Sequence, residues 1–298
     1  MKKLITTWPT YLNVDDTTWE MSMRCWRVLR GLGHTHACVF ANGGMDTQVD
    51  ERFKARVGQL RDEGFDIAAT CLPHSHLGPE KYAELADPRK QPDFWLDYLA
   101  RQATDANAFR LNSDDATIVD PESWTDKRAK ADGDPDGYWL AATNKCKQVR
   151  DAWQSHNAGV PVYFYREAEI DPNVKPGVGE CMMPTAYYLD APERFEKALG
   201  VGSDLRGHAV AVSPVYVGNK QWVTLPDMGT VRECGRVLRS RGIERVWVYP
   251  GPLLGTQTAF ASQDEYFNYY CAVWQALKDG MTCGRTDAAG QKLVNDEV

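Results

Sequence analysis

The chain alternates strand-like and helix-like segments from one end to the other, and this order constrains its fold more than any other feature. Apolar runs with strand character are separated by segments in which apolar residues recur at helical spacing. Such alternation predicts a parallel sheet with its helices packed outside it. Eight predicted strands favour an α/β fold, a single (β/α)8 TIM barrel, over an open doubly wound sheet, because no GxGxxG turn follows the first strand.

The predicted strands span 4–11, 36–44, 65–76, 107–115, 161–170, 179–190, 206–218 and 244–251. The connection after the fourth strand, 116–159, is about twice the usual length and predicts a long loop between strand 4 and helix 4. The last helix is predicted at 263–278. These bounds give one barrel domain over 1–279 and a C-terminal tail over 280–298.

The composition is typical of a globular protein, with 43% hydrophobic and 25% charged residues. No apolar run approaches the roughly 20 residues of a membrane-spanning helix, and a secretory signal is not expected because threonines and Pro9 interrupt the N-terminal apolar stretch.

The net charge of -7 argues against nucleic acid as a partner. Eight cysteines without a CxxC pair predict buried thiols in a reducing compartment such as the cytoplasm.

Polar and aromatic residues gather where the predicted strands end, which in a TIM barrel is the active-site face. The candidates for substrate contact there are Trp8, Tyr11, His74, His76, Arg110, Asn112, Tyr165, Tyr187, Asp190 and Tyr249. Strand alternation sends Asp114 on the fourth strand and Glu167 on the fifth into the barrel, with Trp247 inside on the eighth. His34 and His36 precede the second strand, at the opposite face, and are expected to be structural.

Asp114 and Glu167 are the candidate catalytic pair, with Glu169 as a further candidate. Two neighbouring carboxylates suit general acid/base catalysis, because their like charges raise the pKa of one group while the other stays ionised. An ion pair between Arg110 and Glu167, or a turn capped by Asp114, is the structural alternative.

This acidic and aromatic rim on eight α/β units resembles the glycoside-hydrolase-like TIM barrels. The segment MMPTAYYLD, 182–190, is similar to the sixth strand of the chitinase-like barrels, which ends in a Met, Tyr and Asp grouping, although the fourth strand reads LNSDD in place of their DxxDxDxE run. The resemblance implies hydrolysis of a glycosidic bond in an oligosaccharide or polysaccharide, with a carbohydrate ligand and no cofactor.

Two other functions stay open at this point. A catalytically silent barrel could bind carbohydrate or serve as a structural subunit of a homo-oligomer or larger assembly. A metal-dependent sugar isomerase or lyase could use His74, Asp114 and Glu167 as ligands. Separately, the DxDxDG pattern of Asp132, Asp134 and Asp136 matches the first half of an EF-hand loop and makes these residues calcium candidates, against a solvated acidic turn.

Overall fold

The structure is a computed structural model that describes residues 4–7, 12–40, 51–71, 87–89, 110–119, 126–156, 159–166, 180–186, 189–199, 209–213, 216–218, 221–249 and 260–282. Its strands are β1 Leu4–Thr7, β2 His36–Phe40, β3 Asp66–Cys71, β4 Ala116–Val119, β5 Val162–Arg166, β6 Glu180–Ala186, β7 Val210–Val212, β8 Tyr216–Gly218, β9 Gln221–Thr224 and β10 Arg245–Val248. Its helices are α1 Asp16–Gly31, α2 Glu51–Asp62, α3 Asp126–Asp132, α4 Pro135–His156, α5 Pro192–Ala198, α6 Met228–Ser240 and α7 Gln263–Thr282. No helix in these ranges is long and apolar enough to cross a membrane.

Eight parallel strands form one sheet in the order β1-β10-β7-β6-β5-β4-β3-β2. This is the order met on going once around a (β/α)8 barrel, interrupted between β1 and β2. At that point the Thr35 N–H donates to the Ile5 carbonyl at 2.9 Å, and the Ile5 N–H donates to Thr35 Oγ1 at 2.9 Å. No ladder joins β1 to β2 in the described residues. The predicted parallel α/β order is confirmed, and closure of the barrel stays a prediction.

Local sequence signals account for the ends of the first helix. Asp15 caps α1, because its Oδ1 accepts a hydrogen bond from the Thr18 N–H at 3.0 Å. The helix stops before Gly33, whose φ of 94° lies in the left-handed region that glycine adopts without steric cost. A left-handed glycine also follows α2, at Gly64, with a φ of 85°. A glycine after a helix-like segment predicts a helix stop, and at both positions the structure confirms it.

Hydrogen bonds identify which face of the sheet lies away from the outer helices, here called the inner face. The Tyr270 hydroxyl in the outer helix α7 donates to Thr7 Oγ1 at 2.6 Å, so Thr7 faces the helices. Thr6 therefore faces inward, together with its ladder partner Trp247. The indole of Trp247 is fully buried and donates from Nε1 to the Thr7 carbonyl at 3.0 Å. The predicted inward position of Trp247 is confirmed.

The predicted fourth strand is wrong in position. The strand is β4, the β-branched run ATIV at 116–119, which had been taken as the start of the long loop. The preceding residues form a turn in which Arg110 has a left-handed φ of 54° and Asn112 Oδ1 accepts from the Asp114 N–H at 2.8 Å. The long connection also carries α3 before α4. Phe109 and Leu111 alternate in the sequence as they would in a strand, but Leu111 lies in the turn.

Two further bounds differ from the predictions. The predicted seventh strand contains β7 and then β8, which pairs antiparallel with β9 in a separate two-stranded sheet. Pro214 falls between β7 and β8, and proline lacks the N–H that a continuous ladder needs. Helix α7 continues to Thr282, past the predicted domain end at 279. Its Gly280 packs on Gly235 of α6 so closely that a Cβ on Gly235 would lie 2.2 Å from a backbone oxygen of α7.

Candidate active site

The carboxyl ends of the eight parallel strands lie along one edge of the sheet, since all their ladders are parallel. Three sequence-predicted site residues lie at this edge within the described residues: Tyr165, Asp190 and Tyr249. Trp8, Tyr11, His74, His76, Glu167, Glu169 and Tyr187 lie outside the described residues, and their roles stay predictions. The backbone of Tyr165 pairs with Met183 near the end of β5.

Tyr249 is the first residue after β10, and its N–H donates to the Val212 carbonyl at 2.8 Å. The contact extends the β10 to β7 ladder by one residue, so the backbone of Tyr249 is held firmly. Its ring is partly exposed, and its centroid lies 6.4 Å from that of buried Trp247. Tyr249 therefore offers an aromatic surface at the carboxyl end of the interior, as predicted from strand alternation.

A cluster of aromatic side chains lies near Tyr249 and supports this end of the sheet. The ring of Phe260 lies 5.1 Å from that of Tyr266 and 5.3 Å from that of Tyr269. Burial raises the pKa of Tyr266 well above its usual value, and nearby Tyr249 adds to the increase. These phenols stay protonated at neutral pH, so they support the rim and do not act as bases.

Asp190 follows β6 and approaches the outer helix layer. Its Oδ1 is buried and has no hydrogen-bond partner among the described residues. Burial raises the pKa of the Cys234 thiol in α6 to about 12, and the negative charge of Asp190 contributes to that increase. The Cys234 thiol donates to the Leu189 carbonyl at 3.8 Å. The predicted contact between Asp190 and substrate stays a prediction.

Arg110, Asn112 and Asp114 lie at the opposite end of the sheet from Tyr165, Asp190 and Tyr249, and their predicted position is wrong. All three precede β4, and the Asp114 carbonyl is 2.8 Å from Nε2 of His36, the first residue of β2. At about 3.3 Å per residue, Asp114 is separated from the first residue after β4 by roughly 20 Å of chain. The proposed pairing of Asp114 with Glu167 at one rim fails for this reason.

The neighbouring Asp115 is a structural group that the sequence reasoning did not single out. Its side chain is fully buried and accepts hydrogen bonds from Arg61 at 3.1 and 2.7 Å. The backbone N–H groups of Ile67 and Asn112 each donate to it at 2.7 Å. Four donors use the acceptor capacity of this carboxylate, which joins β3, α2 and the turn before β4.

The position of β4 changes which acids follow the carboxyl end of the fourth strand in the chain. In the chain, Asp120 directly follows Val119 of β4, and Glu122 comes two residues later. The sequence reasoning missed both because it ended the fourth strand at 115. The available signal was the run ATIV, which is β-branched at three of four positions and flanked by acids on both sides.

The predicted calcium residues have other roles. Asp132 pairs with Arg89, which lowers the pKa of its carboxyl, while Asp134 Oδ1 accepts from the Gly137 N–H at 3.1 Å at the start of α4. Asp136 lies in the first turn of that helix. Within the described ranges, no three His, Cys, Asp or Glu side chains are grouped to hold a metal ion. The acidic segment joins α3 to α4, and calcium binding stays a prediction.

The cysteines whose side chains are described agree with the predicted buried thiols. Cys25, Cys38 and Cys234 are buried and Cys271 is partly buried, all as free thiols. Burial raises the pKa of Cys25 and Cys38 to about 12 and that of Cys271 to about 11. Since the thiolate is the reactive form, none of these four is suited to act as a nucleophile at neutral pH.

Comparisons with known proteins bear on the fold. No protein-family model matches the chain, and no curated protein matches it at a significant level. Solved structures do match. A glycoside hydrolase family 5 enzyme from Prevotella bryantii has a TM-score of 0.56 at 10% sequence identity, over 91% of this chain and 95% of that one.

Two further solved structures are similar over nearly the whole chain. A family 5 broad-specificity endoglucanase from an uncultured bacterium has a TM-score of 0.55 at 12% identity, covering 93% of each chain. A family 18 chitinase from Pseudoalteromonas aurantia has a TM-score of 0.55 at 10% identity, covering 92% of this chain and all of that one. The predicted resemblance to glycoside-hydrolase-like TIM barrels is confirmed at the level of the fold.

Proposed function

We propose that the chain hydrolyses a glycosidic bond in an oligosaccharide or polysaccharide, using carboxylates that follow β4 and β5. Asp120 and Glu167 are the proposed pair, with Glu169 as a further candidate. The observation that carries the proposal is the corrected position of β4. It gives two neighbouring strands on which an acid comes immediately after the last residue, Val119 in one and Arg166 in the other.

The register of the two strands supports this pair. Ile118 pairs with Tyr163, and Val119 pairs with Phe164, so β4 pairs with β5 up to its own last residue and β5 continues two residues further, to Arg166. Neighbouring strands are about 4.8 Å apart. Acids that follow two such ends are within reach of one substrate. The proteins with similar folds include an endoglucanase and a chitinase, which supports a carbohydrate as that substrate.

The chemistry needs one carboxylic acid and one carboxylate. The acid protonates the oxygen of the leaving sugar, while the carboxylate either attacks the anomeric carbon or activates a water molecule. Two acids near each other meet this requirement, because mutual repulsion keeps one protonated at a pH where the other is ionised. A separation of about 5 Å would give retention, and one of about 6.5–9.5 Å would give inversion.

Aromatic side chains at the same edge are proposed to bind the sugar rings. The partly exposed ring of Tyr249 beside Trp247 supports such a role. Trp8, Tyr11 and Tyr187 are proposed as stacking surfaces, and His74, His76 and Asp190 as polar contacts. Flat rings bury the apolar faces of sugars while the hydroxyl groups remain available for hydrogen bonds.

The test is a substrate panel of aryl glycosides, xyloglucan, mannan, chitin and starch, with release of reducing sugar measured with and without EDTA. The wild-type chain is expected to release sugar from at least one substrate, whether or not EDTA is present. Glu167→Gln should reduce kcat/KM about 10²- to 10⁴-fold on that substrate.

The other outcomes separate the alternatives. No release from any substrate, together with retained carbohydrate binding, would contradict hydrolysis and favour a silent binding barrel. Activity that EDTA removes would favour a metal-dependent reaction in its place. Undiminished turnover by Glu167→Gln would remove that residue from the mechanism.

A further inference from the structure

Arg245 is a buried arginine at the amino end of the sheet, away from the proposed active site. It is the first residue of β10 and is 4% exposed. Side chains alternate along a strand, so Arg245 lies on the same face as Trp247, which points into the interior. Its guanidinium therefore belongs to the amino end of the barrel interior.

The charge of Arg245 has no compensating partner in the described part of the chain. Its Nε is buried without a hydrogen-bond partner, and no ion pair of its guanidinium occurs there. Arg56, which is 3% exposed, has the opposite environment. It donates to the carbonyls of Leu12 and Val14 at 2.7 Å each and to the Asp16 carboxylate at 2.6 Å. The fold therefore pairs one buried arginine with a carboxylate and leaves the Nε of the other without a hydrogen-bond partner.

A second unsatisfied polar group lies close to Arg245 on the neighbouring strand. Thr6 Oγ1 is fully buried and has no hydrogen-bond partner. In the ladder between β1 and β10, Leu4 pairs with Arg245 and Thr6 pairs with Trp247, so Thr6 is one inward position further along the barrel. The inner face of the sheet thus holds two hydrogen-bond donors on adjacent strands, the Arg245 guanidinium and the Thr6 hydroxyl.

Elementary electrostatics favours an anion at this position. Arginine does not lose its proton at any pH that a folded protein tolerates, so it cannot relieve burial by becoming neutral. A buried, unpaired charge is strongly unfavourable. We propose that Arg245 and Thr6 bind a small inorganic oxyanion, of the phosphate or sulfate type, inside the amino end of the barrel. The fully buried Trp247 next to them limits the site to a small ligand.

Thermal unfolding of the full chain in inorganic phosphate and in sodium chloride at equal ionic strength tests this site. A ligand that binds only the folded state raises Tm, and a hundredfold excess over Kd should raise it by roughly 4 °C. Arg245→Met should lose this phosphate-specific increase and should have a Tm in chloride at least equal to that of the wild type. Thr6→Val, which keeps the side-chain shape, should show a smaller increase.

Arg232→Met is the matched control, because Arg232 lies on α6 and is exposed. It should keep the full response to phosphate. An equal Tm for the wild type in phosphate and chloride would overturn the proposal, even if Arg245→Met does not fold. A response that Arg245→Met and the control both retain would indicate general anion effects and would also overturn it. Titration calorimetry with phosphate should give one site in the wild type and none in Arg245→Met.

Discussion

Acids flank β4 in the sequence on both sides, and the two ends of this strand lie at opposite edges of the sheet. Before the strand, Asp115 is fully buried and accepts hydrogen bonds from Arg61 and two backbone N–H groups. After the strand, the chain continues with Asp120 and Glu122, which we propose belong to the edge where TIM barrels carry their active sites. The proposal therefore assigns the role of an acid from the end of the strand that it flanks, and not from the number of acids nearby.

If the amino end serves stability, removing the Asp115 carboxylate should destabilise the fold most. Asp115→Ala leaves Arg61 without its partner and two backbone N–H groups without an acceptor, at a cost of about 3 kcal/mol in the free energy of unfolding. Urea denaturation measures the change. Asp114→Asn is the control, because it removes the charge of the neighbouring carboxylate with little change in side-chain shape. An equal loss for both variants would contradict the structural role of Asp115.

A buried histidine at the same end predicts that stability falls in acid. The ring of His34 is fully buried 4.8 Å from that of Trp274, and neither ring nitrogen has a hydrogen-bond partner in the described residues. Burial lowers the pKa of His34 to about 3; the Leu29 backbone opposes this only in part, and nearby Lys278 lowers it further. The neutral ring is therefore favoured in the folded state.

The sign and the pH range follow from this lowered pKa. Between about pH 6.5 and pH 3 the unfolded state binds a proton at this residue and the folded state does not. Stability is unaffected by His34 above that range and falls by roughly 2–3 kcal/mol on reaching pH 4. His34→Leu should lose this part of the pH dependence in urea denaturation series. Identical pH profiles for variant and wild type would contradict the prediction.

The turn before β4 should contain a small amount of backbone strain. Arg110 is exposed and has a φ of 54°, a conformation that costs a residue with a side chain about 1 kcal/mol. Arg110→Gly should therefore stabilise the protein by about 0.5–1 kcal/mol. Arg110→Ala removes the same side chain without relieving the strain, so it is the control for the urea measurement. Equal effects of the two substitutions would show that the turn is unstrained.

Sequence patterns predicted the fold well where an element had several independent signals. Gly33 marked the end of α1, and alternation placed Trp247 on the inner face of the sheet. The fourth strand had only four residues, 116–119, and acids on both sides, so composition could not distinguish its beginning from its end. Because of that error, Asp114 was assigned to the wrong end of the strand and Asp120 was not considered as a candidate. Pairing with β3 and β5, a long-range property, fixes the true register.

Buried polar contacts were also beyond prediction from sequence. The bond from Arg61 to Asp115 joins residues 54 positions apart, and neither residue belongs to a recognisable motif. The unsatisfied Arg245 likewise appears as an ordinary strand residue beside Val246. Such groups are identified by what surrounds them in three dimensions, and a linear pattern does not contain that information.

The most direct test of the account compares kcat/KM for Asp114→Asn, Asp120→Asn and Glu167→Gln on the substrate that the panel identifies. Each substitution removes one negative charge with little change in shape, so the position of the acid is the main variable. The account predicts losses of about 10²- to 10⁴-fold for Asp120→Asn and Glu167→Gln and less than about a twofold change for Asp114→Asn. A large loss for Asp114→Asn, with activity retained by Asp120→Asn, would contradict it.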